Sequence, residues 1–147
     1  MSVKEGELKD KLSFKFKNVE FNDYVNANFK KYFHPAYLGK NIVVEMFRKI
    51  EKNVLTIYRV HQTTHLFKKF YLTEKLVIDR ENKTQVSTMS GFGMAEKCVI
   101  EEDKGEKNCL LYNQYYKVMF FLKGKKKEAF DKGCSVLEEI LSGKNLN

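Results

Sequence analysis

Apolar and polar residues alternate from Lys11 to Val19, where Leu12, Phe14 and Phe16 take turns with Ser13, Lys15 and Lys17. Successive strand side chains point to opposite faces, so this stretch reads as a β-strand with one buried face and one solvated, basic face. The period then changes. Phe21, Val25, Phe29 and Tyr32 or Phe33 recur three or four residues apart around Asn22, a residue type that caps helix N-termini. The predicted helix starts near Asn22 and ends before Pro35, because the residue before a proline is pushed out of the helical region.

Period two returns in Asn41 to Lys49 and, after the turn Glu51-Lys52-Asn53, in Val54 to Gln62. Thr63 to Lys69 reads as a loop. Its apolar tip, Leu66 and Phe67, with Lys68 and Lys69 behind it, suits contact with a membrane or closure over a pocket. Phe70 to Ser90 reads as a hairpin at the centre of a sheet: Phe70, Leu72, Leu76 and Ile78 share a face, Asp79 to Lys83 turns the chain, and Thr84 to Met89 returns it. Gly91-Phe92-Gly93 marks a bulge or corner. Met94 to Glu102 and Lys107 to about Phe121 form a last strand pair around Asp103 to Glu106, with the final strand covered on both faces near its end. A helix from about Lys125 to Leu141 closes the chain, with Phe130, Gly133, Leu137, Ile140 and Leu141 as its inner stripe and Gly143 as its C-terminal cap. The expected class is α+β: about seven antiparallel strands in one curved sheet, with one helix after the first strand and one at the C-terminus on the same face.

Two residues break this pattern. Glu74 falls on the apolar face of its strand, where a carboxylate needs a partner or water. Arg59 falls on the face of Leu55 and Ile57, and either pairs with a carboxylate such as Glu74 or faces an internal polar cavity.

The chain of 147 residues, 43% hydrophobic, fits a single domain spanning 1–147. It contains no run of about 20 apolar residues that would span a bilayer, and its start shows no signal or transit character, so a soluble protein without a cleaved leader is expected. A net charge of +8 favours an anionic partner: a phospholipid headgroup, an acidic membrane surface or nucleic acid. Cys98, Cys109 and Cys134 lack disulfide or zinc spacing and read as packing residues.

The charge order of the last helix is anomalous. Lys123, Lys125, Lys126 and Lys127 crowd its first turns and Glu138 and Glu139 its end, opposite to what the helix dipole favours. Such an order suits a helix start that holds an anion on free backbone N–H groups and lysines. Lys30-Lys31, at the end of the first helix, agrees with the dipole. His61 and His65 are four residues apart on a strand end and loop with no further ligand nearby in sequence, so no metal is expected. No nucleophile elbow, phosphate loop or nucleotide signature occurs, and the chain reads as neither an enzyme nor a cofactor protein. Aromatic and basic residues interleave in Phe14 to Lys17 and Tyr115 to Lys117, but alternating strands bury such rings, and no nucleic-acid partner is expected.

Several local sequences, in order, resemble the PRELI-like family of mitochondrial lipid-transfer proteins, which share the START-like helix-grip fold. They are Lys31-Tyr32-Phe33-His34-Pro35, Phe47-Arg48-Lys49-Ile50 with Leu55 and Arg59, Glu74 to Asp79, and Gly133 to Leu141. The resemblance implies a curved seven-stranded sheet gripping a lipid cavity, and carriage of phosphatidic acid or phosphatidylserine across the mitochondrial intermembrane space. A small disulfide-stapled helical partner is implied with it. It places the lipid headgroup near Lys31, with Lys123, Lys125, Lys126, Lys127 and Arg59 as further basic contacts and Glu74 as a polar group of the cavity. Leu66, Phe67, Lys68 and Lys69 would form a shortened lid that touches the membrane. Phe33 and His34 replace the family's proline and asparagine, and the final helix is trimmed. The alternative is a START-like module for another apolar ligand, or a basic adaptor without transfer activity.

Overall fold

The computed structural model describes residues 8–37, 41–65, 67–91 and 93–143. Seven strands form one antiparallel sheet in the order β1-β7-β6-β5-β4-β3-β2. They are β1 Asp10–Lys17, β2 Asn41–Glu51, β3 Val54–His65, β4 Lys68–Asp79, β5 Thr84–Gly91, β6 Met94–Glu102 and β7 Cys109–Lys117. Helix α1, Phe21–Lys30, follows β1 and continues into a 3-10 turn at Lys31–Phe33, and helix α2, Lys123–Leu141, closes the fold. This is the curved α+β sheet with two helices that the alternation predicted.

The inward face of the sheet can be followed row by row across the strand register. One row runs Leu55, Ile78, Gln85, Ile100, Tyr112, Phe14; the next runs Ile57, Leu76, Ser87, Cys98, Gln114, Leu12; the third runs Arg59, Glu74, Met89, Glu96, Tyr116, Asp10. Polarity rises from row to row. Phe16, Ile57, Ile78, Ile100 and Leu110 therefore make a dry core with Tyr24 and Val25 of α1 and Phe130 and Leu137 of α2, each large side chain contributing roughly 1.5–3 kcal/mol on burial. Toward the third row the same face becomes the wall of a cavity.

Several boundaries differ from the sequence expectation. Glu20, not Asn22, occupies the N-cap of α1 and makes no side-chain cap bond, while the Asn22 Oδ1 accepts from Arg80 Nη1 at 2.7 Å. The segment expected as a loop is largely strand: Thr63, Thr64 and His65 pair with Phe70, Lys69 and Lys68, so the β3–β4 ladder runs on to its end. β-branched threonines suit that extension, and Phe67 closes the turn in a left-handed conformation, φ 66°. Lys68 and Lys69 are thus exposed strand residues, and Leu66 lies outside the described residues. The final strand stops at Lys117, and Phe120 and Phe121 lie on a 3-10 turn, 87% and 71% exposed, so its end is not covered on both faces. Phe33, expected on the inner stripe of the first helix, is also exposed.

Edge strand β2 carries the bulge, a register shift between Glu45 and Phe47, and a Glu45–Arg48 ion pair of 2.6 Å beside it. Both devices discourage edge-to-edge pairing. Gly91 and Gly93 instead flank the passage from β5 into β6. Gly91, at φ 150°, passes so close to β4 that a Cβ there would sit 2.5 Å from the Tyr71 carbonyl oxygen. Gly91→Ala is expected to cost about 1–3 kcal/mol, read as a lower urea midpoint at an unchanged slope; a midpoint equal to wild type would refute the constraint.

Candidate functional site

A cavity of about 270 Å³ opens between the upper rows of the sheet, the segment 31–37 and the first half of α2. Two buried carboxylates organise it. Glu74, on β4, lies opposite Arg59 in the register, and its Oε1 accepts from Arg59 Nε at 2.7 Å and meets His61 Nε2 at 2.8 Å. Ser87 donates to Oε2 at 2.6 Å. Burial by itself pushes the Glu74 carboxyl up, but the His61 hydrogen bond and the Arg59 charge outweigh it and hold the group at about 2. Arg59 and Glu74 are the two pattern breakers, and they meet as an ion pair on the cavity face.

The second carboxylate is Glu96 on β6, in the same row. Lys126 Nζ reaches its Oε1 at 2.6 Å and Gln114 Nε2 its Oε2 at 2.9 Å. With only 11% and 6% of the two side chains exposed, the Lys126–Glu96 pair ties the start of α2 to the sheet inside the molecule. Cys98 joins this network through Glu96 and Gln114. Burial raises its thiol far above the ordinary range, and burial likewise raises the Cys134 thiol to about 12, so neither side chain is poised as a thiolate nucleophile.

The lysine cluster of α2 is divided rather than convergent. Lys126 alone among its four members lines the cavity. Lys123 pairs with Asp10 at 3.2 Å and Lys127 with Asp131 at 3.1 Å, while Lys125 is exposed. Side-chain partners thus offset much of the dipole conflict, and the structure gathers no anion site from all four lysines. At the other end of α2, Glu139 meets His34 at 2.6 Å and fastens the 31–37 wall to the helix.

Lys31 stands apart. It lines the cavity with Nζ 5.3 Å from the Tyr32 ring centroid and 5.6 Å from that of Tyr37. No carboxylate of the described residues lies within ion-pair distance of it. The bare backbone of Gly133 on α2 makes room: a Cβ there would lie 3.2 Å from Lys31 Nζ. Tyr32 also packs edge-on to His61, with ring centroids 5.6 Å apart, and so links the Lys31 wall to the Glu74 network.

Sequence reasoning missed Glu96, His61, Ser87, Gln85 and Gln114 as cavity residues. The signal was partial: Glu96 lies between Met94 and Cys98 on its face and Gln114 between Tyr112 and Tyr116, the irregularity that exposed Glu74, whereas Gln85 and Ser87 adjoin each other and His61 lies between Arg59 and Thr63. Gln85 and Gln114 each leave a buried amide oxygen without a hydrogen-bond partner among the described residues, although such groups are ordinarily paired.

No protein-family model matches the chain, the PRELI-like one included, and no curated protein sequence matches it. Solved structures do. A crystal structure of TTHA0849 from Thermus thermophilus superposes with a TM-score of 0.61 at 10% identity, covering 92% of this chain and 96% of that one. A crystal structure of Ara h 8.0201 superposes with a TM-score of 0.60 at 12% identity, covering 91% and 99%. At such identities the likeness is one of architecture, and with the seven-stranded order and the C-terminal helix it places this chain in the helix-grip fold.

Proposed function

We propose that the protein is a non-catalytic carrier that takes a small amphiphile into the cavity, with the ligand's anionic group on Lys31. The observation behind this reading is the state of the cavity's charges. Glu74 is neutralised by Arg59 and Glu96 by Lys126, which leaves the Lys31 ammonium facing aromatic rings and open space. A half-buried cation without a counter-charge is costly to the fold unless something else supplies the anion. Gln85 and Gln114 ask for donors besides, so the ligand carries hydroxyl or amine groups near its charge.

Anionic phospholipids such as phosphatidic acid and phosphatidylserine have this chemistry at the headgroup, and the PRELI resemblance favours them. Size argues for something smaller. The cavity lies below the roughly 300–1,000 Å³ of sites for drug-sized ligands. Each acyl methylene left in water costs about 0.8 kcal/mol. We therefore favour an amphiphile with one short apolar stem over a two-chain lipid. A mitochondrial intermembrane location and a disulfide-stapled helical partner belong to the phospholipid form of the reading and stand or fall with it.

Native mass spectrometry of the protein purified from cells is expected to show a bound anionic amphiphile of modest mass. An empty protein, or one loaded with a neutral sterol, would overturn the proposal. Transfer of phosphatidic acid between donor and acceptor liposomes, above the rate without protein, would return the two-chain lipid to first place.

A further inference from the structure

We propose that the end of the sheet where β3 passes into β4 and β5 into β6 is a docking surface for an anionic lipid membrane. This surface lies outside the cavity, and its docking does not depend on the identity of any cavity ligand. Antiparallel topology gathers four features at this end: the β3–β4 and β5–β6 connections, the end of β7 at Lys117 and the start of α2 at Lys123. Three aromatic side chains project there into solvent, Phe67 fully and Phe120 and Phe121 by 87% and 71%. None belongs to the core, and two adjacent phenylalanines held out on a short 3-10 turn contribute nothing visible to the fold. Exposed aromatics rimmed by polar residues mark interaction sites.

The rim here is basic. Lys68, Lys69, Lys117, Lys123 and Lys125 are all exposed around these rings, with Asp10 offsetting Lys123. In the turns at the opposite end Glu51, Asp79, Glu81, Asp103 and Glu106 are balanced by Lys52, Arg80, Lys83, Lys104 and Lys107. The aromatic end is therefore the more basic of the two. Rings set at headgroup depth with lysines at the level of the phosphates are what an interfacial anchor needs, and neither signal alone suffices for stable attachment. Three rings on two separate turns make no continuous groove for a protein segment, whereas a fluid anionic surface adapts to them.

Co-sedimentation of the full chain with vesicles tests this. The protein is expected to sediment with phosphatidylcholine vesicles containing phosphatidylserine, to stay in solution with phosphatidylcholine alone, and to be released as salt rises. The double variants Phe120→Ser/Phe121→Ser and Lys68→Glu/Lys69→Glu are each expected to weaken binding about tenfold, with unchanged unfolding midpoints because all four side chains are exposed. The phenylalanine variant should retain whatever ligand the cavity carries by native mass spectrometry, while a variant at Lys31 should dock normally; these two readouts separate the surface from the site. Failure of the wild type to bind serine-containing vesicles would overturn the proposal, as would full binding by the phenylalanine variant. Equal, phenylalanine-dependent retention on single-stranded DNA would overturn it in favour of a nucleic-acid surface.

Discussion

Glu74→Gln is expected to lose about 3–5 kcal/mol of folding stability at neutral pH, the range measured when one partner of a buried ion pair is removed. The substitution hardly changes shape. It leaves Arg59 Nε, His61 Nε2 and the Ser87 hydroxyl, which lie within 2.6–2.8 Å of the carboxylate, facing a neutral amide. Against a total stability of about 5–15 kcal/mol for a domain of this kind, such a loss is large. The pH dependence supplies an independent check. The folded carboxyl sits at about 2 against 4.5 when unfolded, so its stabilising contribution is complete above pH 4.5 and is lost as pH falls toward 2. That contribution is worth about 3 kcal/mol. Urea unfolding of wild type and variant at neutral and acid pH decides the matter. The wild type should weaken steeply on acidification and Glu74→Gln much less. A variant within 1 kcal/mol of wild type at neutral pH, or one with the same acid limb, contradicts the buried-pair account. Replacing both Arg59 and Glu74 by apolar residues is expected to recover much of the loss, because the penalty comes from the orphaned partner.

The same residues show how much of the site was legible in the sequence. Alternation in β1, β3 and β4 placed the inward faces correctly, since a period of two leaves only one register that buries Phe16, Ile57 and Leu76 together. It therefore also marked Arg59 and Glu74 as inward charges and made their pairing foreseeable. Glu96 escaped attention because Ala95 and Val99 make the outward face of its strand partly apolar too, which blurs the alternation, and its partner Lys126 lies 30 residues away on a helix. A lysine run looks alike whether its members converge or diverge; only the helical rotation of about 100° per residue sends Lys126 inward and its neighbours elsewhere. The 63–69 segment was misread for a related reason. Thr63, Thr64 and His65 carry no apolar alternation, so nothing local announced that β3 and β4 would keep pairing as far as His65 and Lys68. Phe120 and Phe121 were assigned to the core because exposed aromatics and buried ones have the same one-letter code.

Lys31→Met is expected to weaken binding of the anionic amphiphile about 30-fold or more, the effect of deleting one partner of a desolvated, hydrogen-bonded charge pair, while leaving folding stability unchanged or slightly raised. Lys31 has no carboxylate partner among the described residues, so removing its charge orphans nothing, in contrast to Glu74. A residue kept for the fold shows its cost in unfolding; one kept for a ligand shows it in binding. Gly133→Val supplies a second route to the same result. Its added side chain enters a space where a Cβ alone would lie 3.2 Å from Lys31 Nζ and 3.5 Å from the Tyr37 hydroxyl, displacing the ammonium without altering any charge. Calorimetric titration of a lyso-type phosphate monoester into wild type and both variants, alongside urea unfolding of each, reads the two quantities separately. Unchanged affinity in both variants would remove Lys31 from the site. A stability loss in Lys31→Met comparable to that of Glu74→Gln would make it a structural residue with a partner in the fold, leaving the cavity's anion preference to rest on nothing but its size.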